Sequence, residues 1–326
     1  MPIPLILDVD TGIDDAFALM LAARHPNADL RAVTCVAGNA AVDQVVANTL
    51  QVLDAAGAQD VPVARGAARP LIAPARDAGH VHGRDGLGGF ARPSDRRASD
   101  MGAVELLRVT LQRAIADGES ISLVPIAPMT NIALLLRTYP EVAPGIERIT
   151  FMGGSASAGN ATAAAEFNVW HDPEAAAIVL AACGELAIPV TMYGLDVFEK
   201  VHVSEADAEH LRGLTDPAAQ LAAGLIVQQI ALFGAHDSAA ERALGAKIGD
   251  AGAVCAALDP EGLSTRSLPV RVDTSAGLGR GQTIVDRRTW IGDVDADPHQ
   301  ATATIVDVAL DVDAARFAAL WLSVFE

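Results

Sequence analysis

The chain has 326 residues, 51% of them hydrophobic, with 23 basic against 41 acidic side chains and a formal net charge of −18. This composition supplies a large core and places residues 1–326 in one globular domain, while the acidic balance excludes the basic surface with which a protein follows nucleic-acid phosphates. The three cysteines, Cys35, Cys183 and Cys255, read as reduced thiols, the longest apolar stretch is broken by Glu185 and Pro189, and the start MPIPLILDVD lacks a basic signal-peptide region, so the expected location is the cytoplasm with no membrane partner.

Short runs rich in Val and Ile alternate with longer Ala-rich helical patterns. That is the signature of βαβ units, hence of an α/β fold with a central, mostly parallel sheet flanked by helices, Rossmann-like in kind. In chain order the sequence predicts a strand at Leu5–Val9, a helix at Asp14–His25, a strand at Leu30–Val36 and a helix at Val42–Ala56. After an irregular stretch, Ala64–Asp100, come a helix at Ala103–Asp117, a strand at Ile121–Ile126, a helix at Thr130–Thr138 and a strand at Arg148–Met152. A second irregular stretch, Gly153–Trp170, precedes a helix at Pro173–Cys183, a strand at Ile188–Tyr193 and a helix at Pro217–Phe233. Strands at Leu268–Val272, Gln282–Asp286 and Thr302–Leu310 and an amphipathic helix at Ala314–Phe325 complete the pattern. Both irregular stretches follow a predicted strand, and ligands of open α/β sheets bind beyond the carboxyl ends of strands, so a site is expected there.

The segment LILDVDTGIDDAFAL, Leu5–Leu19, places Asp8, Asp10, Asp14 and Asp15 within eight positions at a strand-to-helix turn. Carboxylates in the first turn of a helix serve as caps and complement its dipole, and that would account for Asp14 and Asp15. It would not account for a third carboxylate at the same turn, and hard oxygen ligands at this density suit Ca²⁺ or Mg²⁺. Asp8 is expected on the other side of the strand in a structural part. In the loop FMGGSASAGNATAAAEFNVWHDPEAA, Phe151–Ala177, the groups of Asn160, Glu166 and Asn168 suit a polyhydroxyl ligand, whose vicinal hydroxyls donate and accept; Asp172 and Pro173 read as the start of a helix. The pair His80 and His82 in HVHGRDGLGG offers a general acid or a donor to a ligand rather than a transition-metal site. Asp250, before an apolar helix in KIGDAGAVCAALDP, is an N-cap or a further carboxylate ligand.

Taken together, DVDTGIDDA, AGNA (Ala37–Ala40), VHGRDGLGG, APMTNIA (Ala127–Ala133), the AEFN loop, GDAGAVCAALDP, GRGQTIVD (Gly279–Asp286) and VALDVDAARF (Val308–Phe317) resemble the inosine-uridine preferring nucleoside hydrolase family, in order from about residue 3 to residue 325. The resemblance implies the nucleoside hydrolase fold, assembly as a homodimer or homotetramer, and hydrolysis of the N-glycosidic bond of ribonucleosides to ribose and free base. It implies Ca²⁺ held by Asp10, Asp15, Asp250 and the carbonyl of Ile126, with ribose bound by Asp14, Asn39, Asn160, Glu166 and Asn168. Water would be activated by Ca²⁺ and Asp10, His82 would contact the base or act in catalysis, and Phe167 could stack on the base. The sequence departs from the family pattern at Thr11, where many members carry Pro, and at Gly249, where many carry a histidine that protonates the leaving base; His236 is a distant substitute for it. Two other readings fit parts of the chain. LILDVDTG also resembles haloacid-dehalogenase-like Mg²⁺ phosphatases, with Asp8 as nucleophile and Asp10 as acid and base. A non-catalytic, calcium-stabilised nucleoside-binding protein is the third.

Overall fold

The computed structural model describes residues 2–79, 83–233, 244–289 and 303–326. Strand β1 (Ile3–Val9) leads through helix α1 (Ile13–Arg24) to β2 (Ala28–Cys35), and α2 (Val42–Ala55) leads on to β3 (Val63–Arg65). Then come α3 (Ala103–Asp117), β4 (Ile121–Pro125), α4 (Thr130–Thr138) and β5 (Ile146–Met152). Two consecutive helices, α5 (Phe167–His171) and α6 (Pro173–Glu185), precede β6 (Val190–Tyr193) and α7 (Leu195–Phe198). A small antiparallel pair, β7 (His202–Val203) and β8 (Ala246–Lys247), brackets α8 (Glu205–Gly213) and α9 (Pro217–Phe233). The chain ends with α10 (Ala251–Leu258), β9 (Leu263–Val272), β10 (Thr283–Val285), β11 (Thr304–Val312) and α11 (Ala314–Leu322).

Nine strands form one sheet in the order β10-β9-β11-β6-β5-β4-β1-β2-β3. All neighbours from β11 to β3 run parallel, and β9 and β10 add an antiparallel edge. The order reverses at β1: the chain first builds outward to β2 and β3, then returns to lay β4 on β1's other side. In open α/β sheets the crevice at such a reversal is the ligand site, and it lies at the carboxyl end of β1, where the aspartates stand.

Alternation along β1 divides the core. Leu5, Leu7 and Val9 pack with α1, α2, α9, α10 and α11, whereas Ile6 belongs to the opposite layer with α3, α4 and α6. Helix α11 is fastened to α1 by the Trp321 indole, which donates to the Phe17 carbonyl at 3.0 Å and meets the Phe17 ring edge-on at 5.1 Å. Among the described residues no helix is long and apolar enough to cross a membrane.

The expected strands and long helices are present, with ends displaced by a few residues. The irregular stretches are less irregular than the sequence predicts: β3 enters the first and α5 the second. Helix α7, the β7–β8 pair and α8 carried no expectation. Helix α8 has only Ala208 and Leu211 buried, too narrow an apolar face to reveal a helical period.

Candidate active site

The turn after β1 is built around Asp15. Its carboxylate accepts from the Asp10 amide (3.1 Å), the Gly12 amide (2.8 Å) and the Asn39 side-chain amide (3.2 Å), so it closes the start of α1 and also fixes the loop after β2. Asp10 accepts from the Asn39 backbone amide at 2.7 Å through Oδ2, while its Oδ1 is buried with no hydrogen-bond donor. Gly38 makes this approach possible, since a Cβ there would stand 2.0 Å from Asp10 Oδ2. Helix α10 delivers Asp250 as its N-cap residue, yet the Asp250 carboxylate caps nothing. Asp14, Asp15 and Asp250 each present an oxygen within 4.8 Å of one another.

These carboxylates are crowded and dry. Burial, then the charge of Asp15, raises the Asp10 carboxyl well above its ordinary range. Burial and the charge of Asp14 push Asp15 up to about 7, and burial with the charges of Asp14, Asp15, Asp10 and Glu166 holds Asp250 well above the usual value. An all-oxygen donor set, a buried carboxylate oxygen without a donor and so much unbalanced negative charge fit a hard dication. The acidic cluster is therefore one that can hold a metal.

Above the cluster opens a cavity of about 450 Å³, whose wall includes Asp14, Asn39, Ile126, Asn160, Glu166, Phe167, Asn168 and Asp250. Loops from three strand ends thus converge: Asn39 follows β2, Ile126 follows β4, and the AEFN residues follow β5. Asn168 donates to the carbonyls of Ile126 (3.1 Å) and Met152 (3.2 Å), joining the ends of β4 and β5. Glu166 is the N-cap of α5, accepting from the amides of Asn168 (2.8 Å), Val169 (3.1 Å) and Gly154 (2.8 Å). Burial pushes its carboxyl up to about 7 against the lowering effect of these amides. Asn160 accepts from the Phe167 amide at 2.9 Å, and the Phe167 ring lies 6.2 Å from Trp170 and 5.5 Å from His171.

Asp8 stands apart. Its Oδ1 accepts from Thr34 Oγ1 (2.5 Å) and Asn131 Nδ2 (2.8 Å); like Asp10 and Asp15 it does not line the cavity, but those two are hydrogen-bonded to Asn39 of the cavity wall, whereas the Asp8 bonds lead away from it. Alternation is not the reason, because residues 8 and 10 would share a face if both lay in the strand. They part because β1 ends at Val9, leaving Asp10 in the turn. A phosphatase with Asp8 as nucleophile has no support in this placement. The expected start of α6 is found as read, with Asp172 accepting from the Ala175 amide at 3.1 Å.

His80, His82 and His236 lie outside the described residues. The loop that follows His82 is tied to the site: Asn48 Nδ2 donates to the carbonyls of both Thr11 (3.2 Å) and Asp85 (2.9 Å). Sequence reasoning did not single out Arg76, Asp77, Trp170, Glu199, Gln229 or Lys247, which also line the wall. Lys247 was the one with a signal, as one of only two lysines in the chain, two residues before Gly249.

The sequence matches the family model described as inosine-uridine preferring nucleoside hydrolase over residues 5–319. A Shewanella woodyi protein named pyrimidine-specific ribonucleoside hydrolase RihA is 39% identical over 315 residues, covering 96% of this chain and 95% of the relative. Among solved structures, a plant nucleoside hydrolase superposes with a TM-score of 0.87 at 29% identity, covering 100% of this chain and 99% of its own. A purine-preferring ribonucleoside hydrolase from Gardnerella vaginalis does so with a TM-score of 0.85 at 31% identity, covering 99% and 98%. In sequence and in fold, the chain belongs to the inosine-uridine preferring nucleoside hydrolase family.

Proposed function

We propose that the chain hydrolyses the N-glycosidic bond of ribonucleosides in a Ca²⁺-dependent reaction, giving ribose and the free base, with Asp10 as general base. The observation that carries this reading is the buried, donor-free Asp10 Oδ1, on a carboxylate held by Asn39 of a cavity wall that carries carboxylates and side-chain amides. Asp10, Asp15, Asp250 and the Ile126 carbonyl would hold the ion, which when bound supplies Lewis acidity toward water and the ribose diol. Asp10 takes the proton of the attacking water; its fixed position against the Asn39 amide suits that task. Asp14, Asn39, Asn160, Glu166 and Asn168 supply the acceptors and donors that hold the ribose hydroxyls. The sugar becomes cationic as the base departs, and Asp10, Asp14 and Glu166 form a fixed negative surround for that charge. A cavity of about 450 Å³ lies within the roughly 300–1,000 Å³ range of small-molecule sites. Phe167 offers a face for the base, and His82 is a further contact to it.

The relative of higher identity carries a pyrimidine-specific name, so the reading takes uridine and cytidine as first substrates. It also takes the enzyme to be a cytoplasmic homodimer or homotetramer, which light scattering measures. The deciding experiment is reducing-sugar release from a panel of pyrimidine and purine nucleosides, with and without chelator, for wild type and Asp10→Ala. Activity that falls with chelator and drops by about 1,000-fold in the variant supports the reading; unchanged activity in Asp10→Ala overturns the mechanism. Tight nucleoside binding with no sugar released over hours would instead make the chain a binding protein.

A further inference from the structure

The charged groups of the cavity wall are mostly carboxylates, Asp14, Asp77, Glu166, Glu199 and Asp250, which favour a cationic sugar but oppose the negative charge that a departing base gathers. Among the described residues its wall contains two cations, Arg76 and Lys247. The Arg76 guanidinium lies on the Trp170 ring, 4.4 Å from its centroid. Lys247 is placed differently. It ends β8, and the next residue, Ile248, donates to the Val201 carbonyl at 3.0 Å and is turned wholly into the core. Lys247 lines the cavity, three residues before Asp250, which lines it as well. No side chain fits at Gly249: its φ is +54°, and a Cβ there would lie 2.7 Å from the Asp14 Cβ and 3.0 Å from the Phe198 ring. Lys247, two residues earlier, does present a side chain to the cavity, and the Glu199 carboxylate that follows α7 pairs with its ammonium at the cavity wall.

Resting on the nucleoside hydrolase reading above, we propose that Lys247, steadied by Glu199, is the leaving-group residue of this enzyme. Its ammonium faces the departing base and balances the charge formed there. In the step, the C1′–N bond breaks and its electron pair passes to the base nitrogen. The water oxygen bonds to C1′ while its proton goes to Asp10. The base leaves as an anion paired with the Lys247 ammonium and then takes a proton from solvent, to which Asp10 returns its own. One preorganised charge facing such a developing anion is worth about 100-fold or more in rate.

The test compares two substrates on one protein, uridine and 4-nitrophenyl β-D-ribofuranoside, whose stable phenolate needs little help to leave. The readout is the ratio of kcat/KM for uridine to kcat/KM for the aryl riboside, in which any loss of folded enzyme cancels. In Lys247→Met the ratio falls by about 100-fold, and in Lys247→Arg it recovers most of that loss. In Lys200→Met, whose ammonium is turned away to Asp311 at 2.8 Å, it stays at the wild-type value. A wild-type ratio in Lys247→Met, equal losses on both substrates, or a fall confined to Arg76→Met overturns the proposal. Failure of the underlying reading is distinct, since wild type would then release no sugar from either compound.

Discussion

The strongest physical consequence of the site is that cation removal should expose a fall in stability with rising pH. Glu166 is 2% exposed and its carboxyl is pushed from an ordinary 4.5 to about 7. Below pH 4.5 both folded and unfolded chains hold this proton; between there and pH 7 only the folded chain does; above pH 7 neither does. Stability from this group is therefore full below the unfolded value and is lost as pH rises through the folded one, a loss of about 3 kcal/mol at roughly 1.4 kcal/mol per unit. In a chain of 326 residues, at about 2.1 cal/mol/K of unfolding entropy per residue, that is a fall of about 4 °C in melting temperature. Asp8, Asp10, Asp15 and Asp250 are shifted in the same direction. His171 and His25 work the other way, since burial lowers both, His171 to about 4, and their contribution grows as pH rises toward 6.5, but they are two groups against six, Asp172 being raised as well. The assay is thermal unfolding from pH 5 to pH 8, in chelator and in millimolar Ca²⁺. Chelated protein should melt at least about 4 °C lower at pH 8 than at pH 5, and Ca²⁺, by binding only the folded chain and competing with protons at the acidic cluster, should narrow the difference. A chelated protein that melts as high at pH 8 as at pH 5 would refute the reasoning.

Three substitutions probe the parts separately. Asp8→Asn keeps the Oδ1 acceptor for Thr34 and Asn131, so nucleosidase activity should persist with a stability loss of about 1–2 kcal/mol for the buried amide, measured by denaturant unfolding; abolished activity would return Asp8 to the chemistry. Gly249→Ala forces a left-handed alanine against Asp14 and should cost about 1–3 kcal/mol, with at least tenfold loss in kcat/KM. Gly38→Ala must displace the Asp10 carboxylate or its own loop, and a misplacement near 1 Å predicts about 100-fold loss in kcat, which steady-state rates on folded protein check.

What the sequence could and could not show follows from the range over which each feature is determined. The strands of the sheet are short Val- and Ile-rich runs and the long helices are Ala-rich, so both were legible from local pattern, whereas α8 was hidden by its polar surface and α5 by its five residues. The aspartates were legible because their crowding is a local anomaly. Even there, the reason for Asp8's separation lies in where β1 stops and not in strand alternation. Glu166 was read for the ligand it might hold, and its capping of α5 emerged only with the backbone. The far wall of the cavity was out of reach for a different reason. Lys247 and Glu199 are 48 positions apart in the chain, and their pairing depends on β8 lying against β7 just after α7. Part of the charge proposed to attract the sugar is thus written in one segment, Asp10–Asp15, while the charge proposed to release the base is assembled by topology alone. Base preference should accordingly vary with β8 and α7 even where the aspartate turn is unchanged.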